Sequence, residues 1–281
     1  MNKTLMSKAW TYRNARKAWK RWRFVRAGMK PWTKGYVEYK EREIERVLGE
    51  KSFCAEKLPR GYGFRLDERI VEYPWFFSRL RAGAGRLLDA GSVLNSEFLL
   101  EQAALQGKTI HICTLSPEQR CSWQKGISYL YEDLRRLPYC DDLFDWIACL
   151  STIEHVGMDN SLYTGERSKE EPRPTEHLGA LLELKRVLKP GGTIYLSAPF
   201  GKAANHRWFQ VFDQGMVEKM IETFEPREDR RDYFLYHADG WRACKPEEAA
   251  EATVFDVHSA KGYDVDFAAA ARAVVCLELR K

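Results

Sequence analysis

RLLDAGSVLN, residues 86–95, has the pattern of a buried strand that ends in an acid and a tight turn. Leu87 and Leu88 lead to Asp89, and Gly91 lets the backbone bend sharply. A helix is expected next, with Asn95 or the following serine as its cap. Strand, turn and helix N-terminus together favour a site for an anionic group, although a glycine after a strand is also an ordinary turn.

Further apolar runs follow in an alternating order. Residues 109–113, 143–150 and 193–198 are predicted strands, and residues 177–192, HLGALLELKRVLKPGG, form a helix that ends in a glycine pair. SPEQ, residues 116–119, has the form of a capping box at the start of another helix. Strands that alternate with helices predict a parallel sheet covered on both faces, with ligands at the carboxyl ends of the strands.

Three stretches carry a family resemblance: LLDAGS at 87–92, EDLRRLPYCDDLFDWIACLSTIEHV at 132–156 and ELKRVLKPGGTIYLSAPF at 183–200. Their order and spacing resemble the class I S-adenosylmethionine-dependent methyltransferases with a methyltransferase type 11-like domain, over residues 81–281. The resemblance implies an α/β, Rossmann-like fold with a seven-stranded, mostly parallel sheet and helices on both faces. It also implies S-adenosylmethionine as the cofactor.

The resemblance places the cofactor on particular residues. Asp89 and Gly91 would form the floor under its methionine end, and Asp133 would bond the adenine amino group. The full set of expected cofactor-binding residues is Asp89, Gly91, Ser92, Thr114, Leu115, Asp133, Leu134 and Ser151.

Two departures from the family pattern affect this expectation. Val93 and Asn95 stand where the second and third glycines of the loop usually are. Thr114 stands where an acid usually accepts the ribose hydroxyls, and a hydroxyl forms only a weaker, neutral hydrogen bond. We therefore expect weaker cofactor binding, or another residue that serves the ribose.

Candidate bases follow two of the strands. Glu154 and His155 lie just after the strand 143–150, and a histidine there suits a general base. His155 is alternatively a structural residue bonded to a loop carbonyl, and Glu154 then orients it or the cofactor. His206, in the polar and aromatic segment 199–213, is the second candidate base. That segment and the long polar loop 157–176 are expected to define the acceptor pocket.

Composition limits the class of protein. The 281 residues suffice for one large α/β domain, predicted over residues 51–281, with an appendage. Seven cysteines without paired CxxC spacing favour a reducing compartment, and neither a signal peptide nor a membrane span is recognisable. These features predict a cytoplasmic protein, either free or peripheral at the inner membrane face.

Charge is concentrated at the start of the chain. The net charge is +5, but residues 1–40 carry +11 and the remainder −6. Trp10, Tyr12, Trp19, Trp22, Phe24 and Trp32 are interspersed with the basic residues. This pattern predicts a helical extension over residues 1–50. The extension would lie on an anionic membrane surface or pack on the domain or on a second subunit in a homodimer. The mixture of aromatic and basic residues favours nucleic acid least of the three partners.

Two functions follow. The first is an S-adenosylmethionine-dependent methyltransferase that acts on oxygen of a small-molecule, glycan-linked or lipid-linked acceptor, since no NPPY-like motif for amide or base amino groups follows the strand 143–150. The second is a non-catalytic, methyltransferase-like binding module at a membrane surface.

Glu72 and Trp75 lie in a helix that, by the same resemblance, would cover the cofactor cleft.

Overall fold

The fold is given by a computed structural model that describes the backbone of residues 3–281 and the side chains of residues 12 and 14–281. Two residues of the predicted extension, Met1 and Asn2, lie outside the described residues, as does the side chain of Trp10. Within the described part, no helix is both long and apolar enough to cross a bilayer.

The strands form one large sheet and one small one. They are β1 (Gly85–Ala90), β2 (Lys108–Thr114), β3 (Ser128–Tyr131), β4 (Phe144–Leu150), β5 (Leu188–Pro199), β6 (Ala204–Asn205), β7 (Gln210–Val211), β8 (Glu228–His237), β9 (Gly240–Cys244) and β10 (Ala273–Arg280). The large sheet has the order β3-β2-β1-β4-β5-β10-β8-β9, and β6 pairs with β7.

The predicted α/β class is confirmed, but the predicted number of seven strands is wrong for the large sheet, which has eight in the described part of the chain. Five neighbouring strands, from β3 to β5, run parallel. The strand nearest the end of the chain, β10, is antiparallel to both β5 and β8. The additional strand, β9, forms a hairpin with β8 at the sheet edge.

Helices cover both faces. They are α1 (Lys3–Arg26), α2 (Tyr36–Glu50), α3 (Arg69–Arg79), α4 (Glu97–Leu100), α5 (Ser161–Thr164), α6 (His177–Val187), α7 (Gln214–Phe224) and α8 (Pro246–Ala249). The predicted helical extension is therefore present as α1 and α2, whereas the domain boundary at residue 50 stays a prediction.

The predicted helix at residues 116–119 is wrong. This segment is a loop, and between β2 and β3 the structure has only a short 3₁₀ turn, Trp123–Lys125. The Ser116 hydroxyl donates to the carbonyl of Tyr163 at 3.0 Å, and no helix begins there for it to cap. The helix expected after β1 does form, but α4 is only one turn long and Ser96 makes no side-chain cap.

Alternate residues of the strands supply two apolar cores, one on each side of the sheet. Leu87 belongs to one core and Leu88 to the other, because successive side chains of a strand point to opposite faces. Tyr36 and Ile44 of α2 lie in the same core as Trp75 of α3. Helix α2 therefore packs as part of the domain core.

Candidate functional site

A cavity of about 700 Å³ lies where four parallel strands end. Gly91 follows β1, Thr114 ends β2, Glu132 follows β3 and Ser151 follows β4, and all four residues line the cavity. A cavity at the carboxyl ends of parallel strands is the usual ligand position in such sheets. Its volume is in the range that holds a small molecule or cofactor.

The turn after β1 is closed by its own hydrogen bonds. Asp89 is fully buried, and its carboxylate accepts from the backbone N–H groups of Val93 at 3.0 Å and Leu94 at 2.8 Å. The N–H of Gly91 donates to the carbonyl of Cys113 at 2.8 Å. These N–H groups are therefore already bonded within the protein, and the one-turn helix α4 adds little dipole. Gly91, Val93 and Leu94 therefore offer no free N–H group to the expected anion site.

Asp89 therefore stabilises the turn through these two hydrogen bonds and does not line the cavity. Burial raises the pKa of Asp89 to about 7, although the two N–H groups act in the opposite direction. Ser92, with φ of 61°, also does not line the cavity, and its buried hydroxyl has no hydrogen-bond partner in the described part of the chain. Gly91 has φ of 112°, and a Cβ there would lie 2.2 Å from Oγ1 of Thr152.

The other six expected cofactor residues line the cavity: Gly91, Thr114, Leu115, Asp133, Leu134 and Ser151. Asp133 is held by Arg135, with 2.6 Å between Oδ2 and Nη2 and 3.0 Å between Oδ1 and Nε. Burial alone would raise the pKa of Asp133, but the hydrogen bonds and charge of Arg135 outweigh it and lower the pKa. Asp133 thus stays ionised at the cavity wall.

Arg135 also holds the long loop 157–176. Its guanidinium bonds both carboxylate oxygens of Glu171 at 2.7 Å and reaches Glu176 at 3.3 Å. The loop contributes Asn160, Tyr163, Lys169 and Glu171 to the cavity wall, so it is part of the site.

A buried polar cluster fixes the end of β4. Glu72 of α3 accepts from the hydroxyls of Ser151 and Ser197, and pairs with Arg69 at 3.0 Å. Arg69 also donates to the carbonyl of Leu150 at 3.0 Å and lines the cavity. Tyr73 donates to the carbonyl of Val93 at 2.9 Å. Helix α3 therefore packs against the site, whereas Trp75 of the same helix lies in the apolar core.

His155 lines the cavity with a defined tautomer. Its Nδ1 lies 2.8 Å from the carbonyl of Trp208, and a carbonyl can only accept, so Nδ1 carries the proton. Burial lowers the pKa of His155 to about 4, so the ring is neutral near pH 7 and Nε2 has a free lone pair. The ring stacks on Trp208 and meets the edge of Tyr163.

The two other candidate bases do not line the cavity. Glu154 is buried, with Oε1 3.8 Å from Nε2 of His155, and its Oε2 has no hydrogen-bond partner among the described residues. Burial raises the pKa of Glu154 well above its usual value. His206 stacks on Phe209 in the segment that joins β6 to β7.

Sequence reasoning did not find several cavity residues: Arg69, Glu118, Glu132, Arg135, Asn160, Tyr163, Lys169 and Glu171. Four of them lie in the loop 157–176. This loop was expected to shape the acceptor pocket, but no particular residue in it was predicted. Arg135 lies within the quoted motif. Arg69 had no recognisable signal, because only the packing of α3 brings it to the end of β4.

Comparison with protein families identifies the central part of the chain. Residues 88–196 match the family model described as a methyltransferase domain. This segment is a methyltransferase domain. It contains β1 to β4 and most of β5, and with them the residues that form most of the cavity wall. The cavity is thus the candidate active site of the methyltransferase domain.

Curated protein sequences give no match to this chain. Among solved structures, the chain is similar to the [4+2]-cyclase SpnF, with 17% identity, coverage of 68% of this chain and 73% of that one, and a TM-score of 0.45. It is also similar to a 1,6-didemethyltoxoflavin N1-methyltransferase of Burkholderia thailandensis, with 12% identity, 88% and 89% coverage and a TM-score of 0.46. A phosphoethanolamine N-methyltransferase of Haemonchus contortus gives 12% identity, 74% and 52% coverage and a TM-score of 0.47.

Proposed function

We propose that this protein is an S-adenosylmethionine-dependent methyltransferase that methylates oxygen of a small-molecule, glycan-linked or lipid-linked acceptor. The observation that carries the proposal is the cavity at the ends of β1 to β4, in which the methyltransferase domain presents an ionised Asp133 and a neutral His155. When bound, S-adenosylmethionine supplies a methyl group on a positively charged sulfur that a nucleophile can attack.

The residues of the cavity fit this cofactor. The Asp133 carboxylate is an acceptor for an adenine amino group, and Arg69 offers a positive charge to a carboxylate. Gly91 lets the turn approach Thr152 so closely that a Cβ at this position would lie 2.2 Å from Oγ1 of Thr152. The volume and charge of the cavity thus agree with an adenosyl amino acid.

Glu118 is the candidate for the ribose hydroxyls in place of the acid that Thr114 replaces. It also lines the cavity, four residues after Thr114, and its charge contributes to the raised pKa of Asp89. A carboxylate accepts a hydroxyl more strongly than a threonine does. Glu118 would thus serve the ribose in place of the acid that is missing at position 114.

His155 is proposed to receive the acceptor hydroxyl. With Nδ1–H held by the Trp208 carbonyl, Nε2 accepts a hydrogen bond from the hydroxyl and orients its oxygen. The low pKa makes His155 a weak base. As the carbon–oxygen bond formed and the carbon–sulfur bond broke, with its electron pair left on sulfur, the hydroxyl would become a strong acid, so a weak base would suffice to take its proton.

The test is transfer of a ¹³C-methyl group from labelled S-adenosylmethionine to pools of small molecules, free glycans and lipid-linked glycans. We expect a labelled product whose ¹³C chemical shift identifies an O-methyl group. H155A should lower the rate about 10²-fold or more while cofactor affinity is retained. H206A is the matched control, because His206 does not line the cavity, and should behave as wild type.

A label on nitrogen or sulfur would overturn the O-methylation proposal. Tight cofactor binding without transfer to any pool would favour the non-catalytic binding module instead. Equal loss of rate in H155A and H206A would remove the role given to His155.

A further inference from the structure

Helix α1 has one side fixed to the protein. Phe24 is buried, and its ring lies 5.8 Å from that of Tyr36 and 5.3 Å from that of Tyr39. On the same side, Lys17 pairs with Glu41 at 3.2 Å, and Lys20 pairs with Glu38. The acids of α2 thus neutralise the lysines that face them.

The opposite side of α1, here called the outward face, consists of Tyr12, Arg16, Trp19, Trp22, Arg23 and Arg26. At about 100° per residue these six positions fall within a sector of about 120°, the centre of which lies about 140° around the helix from Phe24. Tyr12, Trp19 and Trp22 are 73%, 49% and 57% exposed. No Asp or Glu occurs in residues 1–37, so the outward face is aromatic and cationic.

The outward face is ordered by stacking. The guanidinium of Arg23 lies 4.9 Å from the ring centre of Trp19, and that of Arg26 lies 5.1 Å from the ring centre of Trp22. Such cation–π pairs hold both side chains against the helix. They leave a broad surface that carries three positive charges and three aromatic rings.

Helix α1 is also held in place at its C-terminal end. In the turn between α1 and α2, Trp32 donates to the carbonyl of Ala269 at 2.6 Å, and Tyr263 donates to the carbonyl of Pro31 at 2.9 Å. The loop that supplies Tyr263 also carries Val265, which is fully exposed. The turn is therefore bonded to the body of the protein, and the exposed side chain of Val265 lies on the loop beside it.

We propose that the outward face of α1 docks on the surface of a lipid bilayer that contains anionic phospholipids. Tryptophan favours the membrane interface, and arginine is attracted to anionic headgroups. With its aromatic rings at the level of the headgroups and the arginines among them, α1 would lie parallel to the membrane surface. The proposal does not depend on methyl transfer.

Two other partners fit the outward face less well. In a symmetric dimer through this face, the arginines of the two copies would oppose each other, and like charges repel. Single-stranded nucleic acid needs free aromatic faces for base stacking, but Arg23 and Arg26 already cover one face of Trp19 and of Trp22.

The test is flotation of the full chain with phosphatidylcholine vesicles and with vesicles that also contain phosphatidylglycerol. We expect binding to the anionic vesicles that falls in high salt. Replacing Trp19 and Trp22 together by serine should lower partitioning about tenfold or more. R16Q and R23Q should each lower it about fivefold.

The matched control is W123S, since Trp123 is 74% exposed on a different loop, and it should float as wild type. Circular dichroism of each variant checks that the fold is retained. Two results would overturn the proposal directly: equal binding to neutral and anionic vesicles, or equal effects of W123S and the α1 variants. A third would assign the outward face to another partner: the α1 variants still bind vesicles but no longer form a dimer or no longer bind RNA.

Discussion

The guanidinium of Arg135 contacts both carboxylate oxygens of Glu171 at 2.7 Å, and so joins the segment after β3 to the loop 157–176. The same guanidinium holds Asp133, the proposed adenine partner, at 2.6 Å. One side chain thus links the proposed adenine partner to the loop 157–176, which is proposed to shape the acceptor pocket. The position of the loop and the orientation of Asp133 are therefore coupled.

R135Q should loosen this loop. The variant removes charge-assisted hydrogen bonds to three acids, Asp133, Glu171 and Glu176, and such bonds are worth about 1.5–3 kcal/mol each. We expect faster amide hydrogen exchange in residues 157–176 and weaker binding of S-adenosylhomocysteine. The matched control is R173Q, because Arg173 also bonds Glu171, at 2.8 Å, but is largely exposed and should contribute little. Equal exchange in R135Q and wild type would contradict the coupling.

G91A tests the close approach of β1 to Thr152. Gly91 and Gly83 have nearly the same φ, 112° and 113°, but an added Cβ meets Thr152 at 2.2 Å only at position 91 and meets nothing within 4 Å at position 83. Both alanine variants should lose about 1–2 kcal/mol from the unfavourable φ, and G91A about 1–3 kcal/mol more from the collision. Urea unfolding of both variants measures the difference, and equal losses would show that the turn has room for a side chain.

E154Q should change how stability depends on pH. Burial raises the pKa of Glu154, so the folded chain keeps this proton at pH values where the unfolded chain, with a pKa of 4.5, has lost it. The folded state then binds more protons, and the free energy of unfolding falls as pH rises above that value. Glutamine does not titrate, so E154Q should lose less stability than wild type between about pH 5 and pH 8.

The control for this pH effect is E183Q. Arg186 lowers the pKa of Glu183 through hydrogen bonds, so Glu183 is ionised in both states throughout that pH range and its removal should lower stability without changing the slope. Urea unfolding at several pH values gives both slopes. The same slope in E154Q and wild type would contradict the burial of an uncompensated carboxyl group.

The fold was largely predictable because its central strands are continuous apolar runs. Strand β4 is almost fully buried, and its sequence shows this directly. Strand β3, Ser128–Tyr131, was missed because it is a four-residue edge strand whose side chains are half-buried or exposed. The short strand β9 likewise has no strong pattern. The local sequence pattern predicts buried strands well and short strands at the sheet edge poorly.

The candidate site was predictable only where a motif fixes the backbone. Asp133 lies at the cavity wall as the resemblance implied, and stays a proposed cofactor residue. Asp89 has another environment because two N–H groups of the turn fold back onto its carboxylate, a relationship that depends on the turn geometry. The cavity position of Arg69 depends on how α3 packs across the sheet. Long-range packing of this kind leaves no local signal.

Binding of S-adenosylhomocysteine by isothermal titration calorimetry tests the central claim most directly, with wild type, D133A and T114A. We expect saturable heat for wild type and a loss of affinity of about tenfold or more in D133A. T114A should lose less, because Thr114 offers only a neutral hydroxyl. No heat and no thermal shift at about millimolar ligand would contradict a cofactor site in this cavity, and equal losses in D133A and T114A would contradict the place given to adenine.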